Sequence, residues 1–148
     1  RYPIAEGVPR GAYILVEADG GAPEIILIAT GSEVQLILGA REKLASRKIR
    51  ARLISMPSWE LFEEQPSEYR RRVLPAGIPK LAVEAGATQG WRDYVGDSGD
   101  VIGIDRFGAS APGKVVFEKL GFTVEHVVER ALALLEAAAG KLSEITAS

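Results

Sequence analysis

Residues 24–29 read Glu-Ile-Ile-Leu-Ile-Ala, and Thr-Gly-Ser-Glu-Val follows without a gap. A run this apolar, stopping directly at a helix start, is what a strand buried on both faces requires. Strands of that kind belong to parallel sheets covered by helices on each side, so this one stretch narrows the fold to an α/β class. The rest of the chain repeats the rhythm. "AYILVE" reads as a first strand closed by Asp19-Gly20-Gly21, and "ARLISM" (51–56), "KLAVEA" (80–85) and "VIGID" (101–105) read as further strands. Helices are predicted between them. Val34, Ile37, Leu38, Leu44 and Ala45 share one face over about 33–48. Residues 57–75 give two short helical patterns broken at Pro66, which lacks an N–H and disfavours helix at Gln65. Residues 88–96 read as a loop or short helix and 113–120 as a short helix. A last helix starts at an N-cap Thr123, and Gly140 is placed to end it.

The predicted architecture is a three-layer αβα sandwich. Its five-stranded mixed sheet is mostly parallel, with the first strand as an antiparallel edge. Residues 1–11, with Pro3, Gly7, Pro9 and Gly11, read as a linker, and 12–148 as a single domain. A chain of 148 residues buries enough surface to need no disulfide or metal staple.

Several function classes fall away on composition. The net charge of −2 offers no basic footprint for nucleic acid. No apolar stretch approaches the roughly 20 residues of a membrane span, and no signal peptide is read. Cysteine and asparagine are absent and histidine occurs once, at His126. Thiol nucleophiles, zinc-thiolate sites and His-rich metal sites are therefore excluded. A cysteine-free chain suits a reducing cytoplasm.

In an open α/β sheet, sites form at the carboxyl ends of the strands. Here those ends carry Thr30, Gly31 and Ser32, then Ser55 and Ser58, then Glu84, then Asp105 and Arg106. Thr30–Ser32 open a helix whose free N–H groups suit an anion or nucleotide; the alternative is that Thr30 with Glu33, or Ser32 with Gln35, forms a capping box. Glu84, Asp105 and Arg106 read either as an acid–base site, with His126 as a further member, or as an ion-pair cluster bracing strand ends or facing a partner. Trp91 and Tyr94, without a basic field around them, read as packing or interface groups. Gly108 stands between strand and helix start, where a side chain would strain the backbone.

Five stretches carry a resemblance: "RGAYIL" (10–15), "ATGSEV" (29–34), "RLISMPSWELFEEQPSEYRRRVLP" (52–75), "AVEAGATQGWRDYVG" (82–96) and "FGASAPGKVVFEKLGFTVEHVVERA" (107–131). In this order they resemble the C-terminal domain of transketolase over nearly the whole chain. The third domains of related thiamine-dependent enzymes, deoxyxylulose-phosphate synthase and the pyruvate dehydrogenase beta subunit, are the alternative. They lack the "MPS-x-E-x-F-x-x-Q" run and the "FGASAP" turn.

The resemblance implies a parent enzyme of the pentose phosphate pathway, cytoplasmic and homodimeric. It would move a two-carbon ketol unit between phosphorylated sugars with thiamine diphosphate and a divalent metal, Mg or Ca. That cofactor needs a Gly-Asp-Gly motif with a downstream Asn. This chain has neither, and Asp97 and Asp100 in "GDSGD" do not supply it. Arg1-Tyr2-Pro3 likewise fails to match the family's sugar-phosphate Ser/Thr-Arg-Gln motif. The chain is expected to bind no cofactor or metal and to carry no catalytic residue. Its expected role is structural, with the upstream domains and a second copy as partners and no nucleic acid or membrane. Glu84, Trp91, Tyr94, Asp105 and Arg106 are the expected interface.

Overall fold

In the computed structural model, which describes residues 11–84, 95, 99–103 and 123–147, strands and helices alternate as the apolar runs require. The order is β1 (Tyr13–Val16), β2 (Ile25–Ala29), a 3₁₀ turn (Gly31–Glu33), α1 (Val34–Ser46), β3 (Ala51–Ser55), α2 (Trp59–Glu63), α3 (Ser67–Val73), β4 (Lys80–Glu84), β5 (Asp100–Gly103) and α4 (Val124–Ala147). The strands form one sheet in the order β1-β3-β2-β4-β5. β1 runs antiparallel to β3, and the other three pairings are parallel. The single antiparallel edge strand is therefore present where the sequence placed it.

Strand residues alternate between two apolar layers, as a sheet covered on both faces demands. Leu15, Ile25, Leu27, Leu53, Leu81, Val83 and Ile102 meet Ile37, Ala40 and Leu44 of α1 and Val127, Val128 and Ala131 of α4. Ile14, Ile26, Ile28, Ile54 and Ala82 meet Phe62, Tyr69 and Val73 of α2 and α3. Every residue of β2 is fully buried, which is why its sequence shows no polar alternation.

Local chemistry sets the element ends. Ser58 caps α2 by accepting from the Leu61 N–H at 3.2 Å. Pro66 stands at the N-cap of α3, so the predicted break lies where expected. Thr123 Oγ1 accepts from the His126 N–H at 3.1 Å and starts α4. The predicted stop at Gly140 is corrected: α4 continues to Ala147. One glycine inside a helix costs only about 1 kcal/mol, and the residues after it are mostly good helix formers. The expected loop or short helix at 88–96 (Val95 apart), the short helix at 113–120, the linker of residues 1–11 except Gly11, and Gly108 lie outside the described residues.

Side-chain bonds tie the layers together. Arg52 on β3 donates to both carboxylate oxygens of Glu17, at 2.8 and 3.1 Å, and to the carbonyls of Arg72 and Val73 at the end of α3. The Tyr69 hydroxyl donates to the Ala12 carbonyl at 2.8 Å within the interior. Asp100 on β5 receives two hydrogen bonds from Arg130 on α4.

Candidate functional site

β2 and β4 are neighbours, yet their chains leave in opposite directions. β2 continues through α1 to β3 on one side. The return from β3 through α2 and α3 steps over β2 to β4 on the other. This is the topological switch point, where open α/β sheets leave a crevice at the carboxyl ends. Register then decides which side chains meet there. Ala29 pairs with Val83 and Val83 with Ile102, so Thr30 and Glu84 emerge side by side and Glu84 faces Gly103.

The Thr30 hydroxyl donates to Glu84 Oε2 at 2.7 Å, half-buried, across 54 residues of chain. Gly31 takes φ +55, the left-handed region that glycine enters without strain, and opens the 3₁₀ turn. The Glu33 carboxylate folds back beneath it: a Cβ on Gly31 would lie 3.8 Å from Glu33 Oε2. Glu33 is only 7% exposed, and its N–H bonds the Thr30 carbonyl at 3.2 Å. Ser55 is buried at the end of β3, and the Met56 N–H donates to the Ala29 carbonyl at 3.0 Å.

The predicted capping by Thr30 is corrected on this point. The residue at the N-cap of α1 is Glu33, without a side-chain cap, and the Thr30 hydroxyl crosses to the neighbouring strand instead. A charged acceptor makes a stronger hydrogen bond than a neutral one, so the carboxylate outcompetes local capping. Two carboxylates, Glu33 and Glu84, now flank the helix start. Their charge opposes an anion or nucleotide at Thr30, Gly31 and Ser32, the last of which is described only in its backbone.

Of the other predicted cluster members, Trp91, Tyr94, Asp105 and Arg106 lie outside the described residues. His126 does not join Glu84. Its ring lies 3.4 Å from Arg130 Nη1 and 3.5 Å from Glu129 Oε2. Among the described residues no group of three or more His, Asp or Glu side chains is arranged to hold a metal. Sequence reasoning cast Glu33 only as a capping partner and passed over the buried Lys80. Lys80 is 7% exposed, and burial pushes its ammonium below the usual lysine range. Its signal was available: a lysine at the head of a strand buried on both faces must go inside.

Fold and switch point together define an open, doubly wound α/β domain whose crevice is bridged by a hydroxyl–carboxylate pair. Residues 11–123 match the family model of the transketolase-like TK C-terminal domain, and the chain belongs to that family. It is 55% identical over 131 residues to a transketolase of Geobacillus stearothermophilus, covering 88% of this chain and 20% of that protein. It is 53% identical over 132 residues to one of Halalkalibacterium halodurans, with 88% and 20% covered. The solved transketolase from Leishmania mexicana superposes with a TM-score of 0.81 at 42% identity, over 89% of this chain and 19% of that one. The chain thus spans about a fifth of the length of these relatives.

Proposed function

We propose that this domain serves a transketolase as a non-catalytic support. The parent enzyme would transfer a two-carbon ketol unit between phosphorylated sugars in the cytoplasm as a homodimer, in the pentose phosphate pathway. Thiamine diphosphate and a divalent metal, Mg or Ca, would be held by domains upstream of this one. The residues here do not fit that cofactor. No asparagine and no Gly-Asp-Gly occur in the sequence. Three of the described carboxylates are tied to neighbouring side chains: Asp100 to Arg130, Glu17 to Arg52, Glu84 to Thr30. No chemical step is routed through this chain.

The observation that carries the reading is the Thr30–Glu84 bond. At the crevice where such folds bind ligands, the two side chains that register brings together are bonded to each other. That suits an edge built to brace strand ends and to meet another protein surface. Glu84, with Trp91, Tyr94, Asp105 and Arg106, is the proposed contact with the upstream domains or with a second copy. Aromatic residues and arginine are enriched in interface cores, and a charge buried there needs a partner.

Sedimentation tests the proposal across a concentration series of the chain alone and after mixing with the two upstream domains. Weak self-association or binding to those domains, reduced by Trp91→Ala and by Arg106→Glu, is expected. A chain that stays monomeric and ignores the upstream domains would overturn it. So would association indifferent to both substitutions.

A further inference from the structure

At the opposite edge of the sheet, the geometry points to a second site: a basic cleft that takes a small phosphate-bearing molecule, formed by Arg41, Lys48 and Arg50. This assignment is independent of the support role. The cleft has a volume of about 330 Å³ and lies where the turn after β1, the end of α1 and the first residue of β3 converge. Three cations line it against one carboxylate, Asp19. That size is within the range of small-ligand sites.

Arg41 and Arg50 are each fixed in place by a carboxylate and a backbone carbonyl, and Lys48 is the basic group with no ion pair among the described residues. Arg41 is mostly buried, with its side chain 18% exposed. One end holds Asp19 Oδ2 and the Glu17 carbonyl, both at 3.0 Å, while the buried Nε finds no partner among the described residues. Arg50 is oriented by its Nε donating to the Ala22 carbonyl at 2.8 Å, and its Nη1 lies 3.5 Å from Glu24. Lys48 is exposed, and no carboxylate among the described residues makes an ion pair with it.

The conformation of Lys48 is the second observation. Its φ is +64, the one positive value at a non-glycine residue among those described. The chain ends α1 there with a left-handed cap: Ile49 N–H bonds the Leu44 carbonyl at 3.0 Å and Lys48 N–H the Ala45 carbonyl at 2.9 Å. Glycine is the unstrained residue at that position. Nothing in the cap's hydrogen bonding uses the lysine side chain. The left-handed backbone sets a lysine, where glycine would be unstrained, in the lining of the cleft with Arg41 and Arg50. Guanidinium and ammonium together match a phosphate's several acceptor oxygens.

The test is titration of the 148-residue chain with pyrophosphate at fixed ionic strength, followed by calorimetry and backbone amide shifts. Saturable binding is expected, with shifts centred on Asp19, Gly20 and Lys48–Ala51. Lys48→Gly should weaken it about tenfold, the loss of one charge-assisted contact. That substitution also relaxes the backbone, so its thermal midpoint should not fall, and lost binding cannot be attributed to unfolding. Arg50→Gln provides the second variant. Parallel titrations use citrate and added sodium chloride. No saturation by about 1 mM, an equal response to chloride, a preference for citrate, or unchanged binding by Lys48→Gly would each overturn the assignment.

Discussion

Replacing Gly11 by alanine should be among the most damaging single-methyl changes available to this domain. Gly11 sits at φ +82, and its carbonyl accepts the Ser58 N–H at 3.0 Å. A Cβ there would lie 2.2 Å from the Phe62 nitrogen, 2.3 Å from the Ser58 oxygen and 2.9 Å from the Leu61 carbonyl carbon. All three are backbone atoms of the first turn of α2, so no side chain can swing aside. The helix must move, and Phe62, 2% exposed, moves with it. The left-handed backbone alone costs a non-glycine residue about 1–2 kcal/mol. Forcing backbone apart adds roughly 1–3 kcal/mol, the usual range for overpacking. A total near 3 kcal/mol corresponds to about 6–12 °C in midpoint for a domain of this size.

Gly20 supplies the control. Its φ is +80, yet a Cβ there meets nothing within 4 Å. Gly20→Ala should therefore pay only the backbone part, about 1–2 kcal/mol. Urea unfolding followed by circular dichroism reads both variants, and their difference isolates the clash. Equal losses would refute the claim that the chain entering β1 is clamped against α2, as would a Gly11→Ala loss below about 0.5 kcal/mol.

Thr30→Val keeps the side-chain volume and deletes the bond to Glu84, so urea unfolding should show a loss of about 1–2 kcal/mol. Burial raises the Glu17 carboxyl, but the hydrogen bonds from Arg52 and the Ala18 N–H and the Arg52 charge outweigh it, and the net shift is downward. Stability from that pair is fully present above the ordinary glutamate range and is lost as pH falls through the depressed value; the gap between wild type and Glu17→Gln should close in acid and stay constant from neutral pH upward. Lys80 is also shifted down, by burial, so its unfolded form binds more protons and wild-type stability should rise with pH towards the ordinary lysine range. Lys80→Met should be the more stable protein at neutral pH, and the advantage should shrink as pH climbs; an advantage independent of pH would show that the ammonium carries no burial penalty.

What the sequence disclosed was what local pattern controls. The unbroken Ile25–Ala29 run announced a central strand because both its faces are covered, and Pro66 and Thr123 marked helix boundaries by their own bonding chemistry. What it concealed depends on partners distant along the chain. Thr30 looked like a cap because Glu33 stands three residues on; its acceptor is instead Glu84, brought alongside only by the β2–β4 register. Gly140 looked like a terminator, yet α4 runs seven residues past it to Ala147. The cleft of Arg41, Lys48 and Arg50 was invisible for a related reason. Its basic residues are close in sequence, but the turn that faces them comes from the end of β1.

A domain that supports chemistry done elsewhere should neither hold the cofactor nor turn over sugars by itself. Calorimetry of the 148-residue chain with thiamine diphosphate and magnesium, together with a ketol-transfer assay on phosphorylated sugars under the same conditions, tests it most directly. A flat titration and no turnover above the uncatalysed rate are expected, because neither the Gly-Asp-Gly motif nor any asparagine is present. Saturable cofactor binding with a micromolar constant, about −8 kcal/mol, or transfer of a two-carbon unit by the chain alone, would contradict it.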